Sequence, residues 1–113
     1  MQYLLMIYSE EKAWIGLSQA EQGAMMAAYV AFGKEFAGSL RGGNPLQPVA
    51  AAKTVTVRDG KSLTTDGPFA ETKEQLGGYY LVEAGSMDEA TAIASKIPGA
   101  QYGSVEVRPI MTF

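Results

Sequence analysis

Two Ser-x-x-Glu boxes, Ser18–Glu21 and Ser86–Glu89, divide this chain. In such a box the serine hydroxyl accepts the backbone N–H three residues on, and the glutamate reaches back to the open N–H groups at the helix start. The boxes predict helices over Gln19–Arg41 and Met87–Lys96. In the first, Met25, Ala28, Tyr29, Phe32, Phe36 and Leu40 recur on one face. In the second, Ala90, Ile93, Ala94 and Ile97 do the same. Arg41-Gly42-Gly43 and Pro98-Gly99 supply the stops. Gly33 and Gly38 each weaken the first helix by about 1 kcal/mol against alanine. The Met-and-aromatic stripe reads as core, not as a cofactor-binding surface.

Between and around these helices lie strands. Tyr3–Tyr8 is a nearly continuous apolar run, read as a central strand buried on both faces. Ser9–Gly16 reads as a loop, with Trp14 a packing residue. Two prolines within Asn44–Pro48 exclude regular structure there. Ala52–Arg58 and Lys61–Thr65 form a ribbon about Asp59-Gly60, with Val55 and Val57 on one face and Leu63 inward. Gly78–Ala84 and Ser104–Ile110 complete the set. In the last, Val105 and Val107 alternate with Glu106 and Arg108, and Pro109 marks an edge. The order is β-α-β-β-β-α-β. With one ribbon arm set aside it becomes the split βαβ, ferredoxin-like arrangement, an α+β fold in a single domain over residues 1–113. Helices then cover one sheet face, and no third layer covers the other. A homodimer that opposes the open faces, a dimeric α/β-barrel type of assembly, is therefore expected.

Composition removes whole classes of function. The 113 residues include no Cys and no His, which excludes disulfides, thiolate nucleophiles, imidazole bases and the usual zinc sets. A net charge of −3 argues against nucleic acid as a partner. No apolar run is long enough to span a bilayer, and the N-terminus has no basic region before its short apolar run, so a cytoplasmic protein without a membrane partner is expected. No nucleotide fingerprint or metal-loop spacing is present, so no cofactor and no metal is expected.

What remains for chemistry gathers in Thr65–Tyr80, TDGPFAETKEQLGGYY. Asp66-Gly67-Pro68 is a turn signal, Phe69 reads as an apolar anchor, and Gly77-Gly78 opens the next strand. The loop between is expected to line a pocket bounded by the sheet. Asp66 is its candidate catalytic carboxylate. Glu71, Lys73, Tyr79 and Arg108 are candidate ligand-binding groups, with Glu74, Glu83, Arg58 and Tyr80 as further candidates. Each has a plainer reading. Asp66 forms turns, Glu71, Lys73 and Glu74 make a solvated charge cluster, and Arg108 makes a cross-strand ion pair.

The string Asp66–Glu83, together with Met1–Tyr8, Asn44–Pro48, Val57–Gly60 and Gly103–Pro109, resembles the DGPF-domain proteins, a branch of the YCII-related family. The resemblance implies a ferredoxin-like subunit that dimerises sheet against sheet. It also implies a regulatory or stress-linked context, because DGPF proteins are frequently encoded near extracytoplasmic-function sigma factors. YCII relatives often carry a His and an Asp proposed to form a site, and the His part does not carry over to a chain without His. Two functions follow. One is a small-molecule binding or sensing module acting as a homodimer. The other is a small cofactor-free enzyme of isomerase, lyase or oxygenase type, with a carboxylate such as Asp66 as proton shuttle.

Overall fold

Both serines cap their helices, and each helix packs on one face of a single sheet. The computed structural model describes all 113 residues. Its elements are β1 (Gln2–Ser9), α1 (Glu11–Ile15), α2 (Gln19–Glu35), β2 (Leu40–Pro45), β3 (Lys53–Arg58), β4 (Lys61–Asp66), β5 (Gln75–Glu83), α3 (Met87–Ser95) and β6 (Ser104–Pro109), with 3-10 turns at Val49–Ala51 and Pro98–Gln101. At α2 the box is reciprocal. Ser18 Oγ accepts from Glu21 N at 3.1 Å, and Glu21 accepts from Ser18 N at 2.9 Å, which holds the Glu21 carboxyl below its usual range. At α3, Ser86 Oγ accepts from Glu89 N, but the Glu89 carboxylate reaches one residue further back, to Gly85 N at 2.7 Å.

The main sheet has the order β2-β5-β1-β6, every neighbouring pair antiparallel. The core lies between it and the helices. Tyr3, Leu5 and Ile7 of β1, Val82 of β5 and the α3 face Ala90, Ile93, Ala94 with Ile97 are buried there. Phe32 carries α2 onto the sheet, 5.1 Å from the Tyr80 ring and 5.0 Å from Phe36. Burial pushes the Tyr29 and Tyr80 hydroxyls above the ordinary tyrosine value, and Tyr29 accepts the Gly99 N–H at 3.1 Å.

Several expectations need correcting. The first helix does not run to Arg41. It ends at Glu35, and Leu40–Pro45 pairs with β5 as an edge strand. Gly43 makes this possible, since a Cβ there would lie 2.5 Å from the Tyr80 ring and 2.8 Å from Tyr79 O. The strand therefore includes Asn44 and Pro45, against the irregular backbone that two prolines within Asn44–Pro48 predict, with Pro45 at its end. Residues 11–15 form the short helix α1, where Trp14 is 43 % exposed rather than packed away. β1 is buried on its helix side only, and Leu4, Met6 and Tyr8 are half-buried on the other. Its run is continuously apolar because both faces are apolar, although the second is uncovered in one chain.

The ribbon departs furthest from expectation. Neither arm joins the main sheet, and β3 and β4 pair only with each other. Leu63 lies opposite Thr56, so it shares a face with Thr54 and Thr56, while Val55 and Val57 lie on the other. All three apolar side chains are exposed. The hairpin turn is of type I′, with Asp59 at φ 51° and Gly60 at φ 75°. Gly60→Val is expected to lower the hydrogen-exchange protection of the ribbon amides about tenfold or more, because a β-branched residue resists positive φ at a cost of order 1–3 kcal/mol. Unchanged ribbon protection would contradict it. Since the ribbon packs on no core element, the main-sheet amides are expected to keep their protection.

Candidate functional site

Strand alternation decides which side chains face away from the helices. In register across the sheet, one row reads Asn44, Tyr79, Met6, Glu106 and the next Gly42, Leu81, Leu4, Arg108. This open face is apolar in its middle and polar at its edges. Asn44 Nδ2 donates to Tyr79 Oη at 3.0 Å, and Arg108 pairs with Glu106 two residues away on the same strand. A sheet face with Leu, Met and Tyr at its centre is unusual for a solvated surface.

At the end of this face, where β1 turns into α1, lies an open groove of about 800 Å³. Tyr8, Glu10, Lys73, Glu74, Ser104 and Glu106 are among the residues that line it. Its floor depends on Gly103, where a Cβ would sit 2.0 Å from Tyr8 O. That clearance lets β6 enter close against β1 and brings Ser104 level with Tyr8. Its wall is the 67–74 loop, tied down at one end. Gln75 Nε2 donates to Thr72 O at 2.6 Å, and Gln75 Oε1 accepts from Glu11 N at 3.1 Å. Glu11 in turn accepts from Val49 N at 2.7 Å. α1 thus holds the loop and the 3-10 turn together. Inside the groove Ser104 Oγ donates to Glu74 Oε1 at 3.1 Å, and Lys73 Nζ stands 3.9 Å from Glu10 Oε1.

The predicted site residues divide. Lys73 lines the groove, as does Glu74, while Tyr79 and Arg108 stand on the adjoining open face. Glu71 is exposed outside the groove. Asp66 ends β4, with its side chain 86 % exposed, and its carboxylate accepts from Lys53 Nζ at 2.7 Å. Asp66 therefore does not line the groove of its own chain; β4 ends at Asp66, eight residues before Glu74, and its cross-strand partner is the residue directly opposite. Phe69 anchors nothing within the chain and is 85 % exposed. Sequence reasoning missed Tyr8, Glu10 and Ser104, which come from the far ends of three elements. The close approach at Gly103 is what joins them, and a glycine alone does not announce it.

The arrangement offers carboxylates, one lysine and hydroxyls beside an apolar floor, the composition of a small-ligand site. No group of three or more Asp or Glu side chains is placed to hold a metal ion, and no helix is long and apolar enough to cross a membrane.

Three likenesses to known proteins bear on this geometry. The model of the YCII-related domain matches residues 1–113. An uncharacterised protein of Rhizobium meliloti (strain 1021) is 37% identical over 117 residues, spanning 100% of this chain and 94% of that protein. Among solved structures, the 5-chloro-2-hydroxyhydroquinone dehydrochlorinase of Burkholderia phenoliruptrix AC1100, in complex with 2,5-dihydroxybenzoquinone, superposes with a TM-score of 0.57. That match covers 98% of this chain and 94% of the enzyme at 16% identity, a likeness of fold.

Proposed function

Because the chain belongs to the YCII-related family, we propose that it is a ferredoxin-like subunit of a homodimer that binds a small molecule, as a binding or sensing domain in a regulatory or stress-linked setting. One observation carries this reading: the polar groove opens directly onto the uncovered apolar face of the sheet. Opposing two such faces would bury Leu4, Met6 and Leu81 and leave each groove at the margin of the interface. Stable interfaces bury about 1,200–2,000 Å² in total, which a four-stranded face can supply. Lys73 is the cation for an anionic or phenolic oxygen, with Tyr79 and Arg108 completing the polar rim. Asp66 and Glu71 join the site only from a position outside its own chain's groove.

The first ligand to try is 2,5-dihydroxybenzoquinone, which the structural neighbour binds. Titration calorimetry is expected to give saturable binding, weakened tenfold or more by Lys73→Ala, since a charged hydrogen bond contributes about 1.5–3 kcal/mol. Asp66→Asn keeps a turn former and removes the charge. Equal affinity in this variant confines Asp66 to its ribbon pair with Lys53. Affinity unchanged by Lys73→Ala would overturn the groove as the site.

The second reading, a cofactor-free enzyme with a carboxylate proton shuttle, is favoured by the neighbour's being a dehydrochlorinase. In this geometry the groove carboxylate Glu74 is better placed than Asp66 for the role. Chloride release from 5-chloro-2-hydroxyhydroquinone, lost in Glu74→Gln while binding persists, would select it over the binding module.

A further inference from the structure

A two-stranded ribbon in water is at best marginally stable on its own, yet β3–β4 has no other strand beside it and packs extensively on no other element. Val55, Val57 and Leu63 are 61 %, 57 % and 59 % exposed. The ribbon's projection is visible in the dimensions of the whole chain. The radius of gyration is 16.0 Å, against about 13 Å for a compact chain of this length. Its tip carries a second anomaly. Arg58 and Lys61 are directly opposite one another across the strands, a pairing of like charges that weakens a ribbon. Neither cation has a carboxylate within ion-pair distance. Both stand on the Leu63 face.

The groove has the opposite character. Glu10 and Glu106 have cationic neighbours, but the Glu74 carboxylate accepts only from the Ser104 hydroxyl and has no cation within ion-pair distance. Beside it lies the apolar open face. A ribbon face with Leu63 in its middle and two cations at its tip matches a surface that is apolar and then acidic. Six extended residues reach about 20 Å, and four strands span about 15 Å, so the ribbon is long enough to cross a sheet. It does not bend back over its own, since its only strand partner is its own second arm and its tip cations make no hydrogen bond or ion pair with a groove residue.

We propose that the β3–β4 ribbon is an exchanged arm: in the homodimer inferred above, on which this rests, it reaches along the margin of the opposed sheets and sets Arg58 and Lys61 against the second copy's Glu74. Each groove is then completed in trans, and the arm's cations add positive charge where an anionic ligand would sit beside Lys73. The exposed ribbon valines face outward or against the partner's loop, and the turn Asp59-Gly60 becomes the lip of the site.

A chain without cysteine makes a clean test. Lys61→Cys and Glu74→Cys chains carrying different tags are co-expressed, oxidised mildly and run on a non-reducing gel, with sedimentation velocity on the same sample. The expected result is a mixed-tag disulfide dimer as the main product, absent when Thr91→Cys on the exposed side of α3 replaces Glu74→Cys. In addition, Arg58→Glu/Lys61→Glu is expected to weaken dimerisation tenfold or more, the loss diminishing at high salt. A dimer by sedimentation that gives no mixed disulfide, or that links Lys61→Cys to Lys61→Cys, overturns the exchanged arm and leaves the homodimer standing. A monomer by sedimentation overturns both.

Discussion

Gly103→Ala is expected to lose about 3 kcal/mol of stability or more, the upper range for forcing extra volume into a packed site. The added methyl would lie 2.0 Å from Tyr8 O, and 3.0 Å from both Ser9 Cβ and Tyr8 C. Two of those three atoms are backbone, so no side-chain rotation relieves the overlap. β6 must move off β1 at the Tyr8–Ser104 pair, which is also the floor of the groove. For a domain of this size the loss corresponds to roughly 10–20 °C in melting temperature. Gly33→Ala is the internal comparison. A Cβ there meets nothing within 4 Å, and alanine in a helix interior is favoured by about 1 kcal/mol. Urea titration of both should move the midpoints in opposite directions. A Gly103→Ala midpoint at the wild-type value would refute the close-approach account of the groove.

Leu81→Glu is expected to give a folded monomer. Leu81 stands on the open face between Leu4 and Gly42, away from the helix-side core. An unpaired charge buried at an interface costs about 3–5 kcal/mol, which weakens dimerisation by at least a hundredfold. Far-UV circular dichroism should match wild type while sedimentation velocity shows the species halved in mass. A Leu81→Glu protein that still dimerises would move the interface off this face.

How far the sequence could be read follows from the range of each signal. The serine caps, the Asp59-Gly60 turn and the alternation of Val105 to Arg108 are local, and all are found where the spacing puts them. The alternation also placed Arg108 and Glu106 on the face away from the core. β2 was illegible because Leu-Arg-Gly-Gly-Asn-Pro carries no period-2 pattern; its shape answers the Tyr80 ring, forty residues on. Leu63 was misjudged because inwardness was inferred from hydrophobicity, whereas the hairpin register pairs it with Thr56. In the candidate site, Lys73 and Glu74 were legible as a charged loop beside a turn. Glu10 was not, since its place at the groove depends on a meeting of β1, α1 and the loop across more than sixty residues.

The position of β1 has a consequence for biosynthesis. This strand is made before the other strands of its sheet, and both of its partners, β5 and β6, are translated after residue 74. At typical elongation rates of about 5–20 residues per second, its apolar run waits roughly four seconds or longer for any hydrogen-bonded neighbour. Nascent chains therefore carry a sticky, unpaired segment for that time. Shielding of β1 during translation then acts alongside the stability of the finished domain in setting how much protein accumulates.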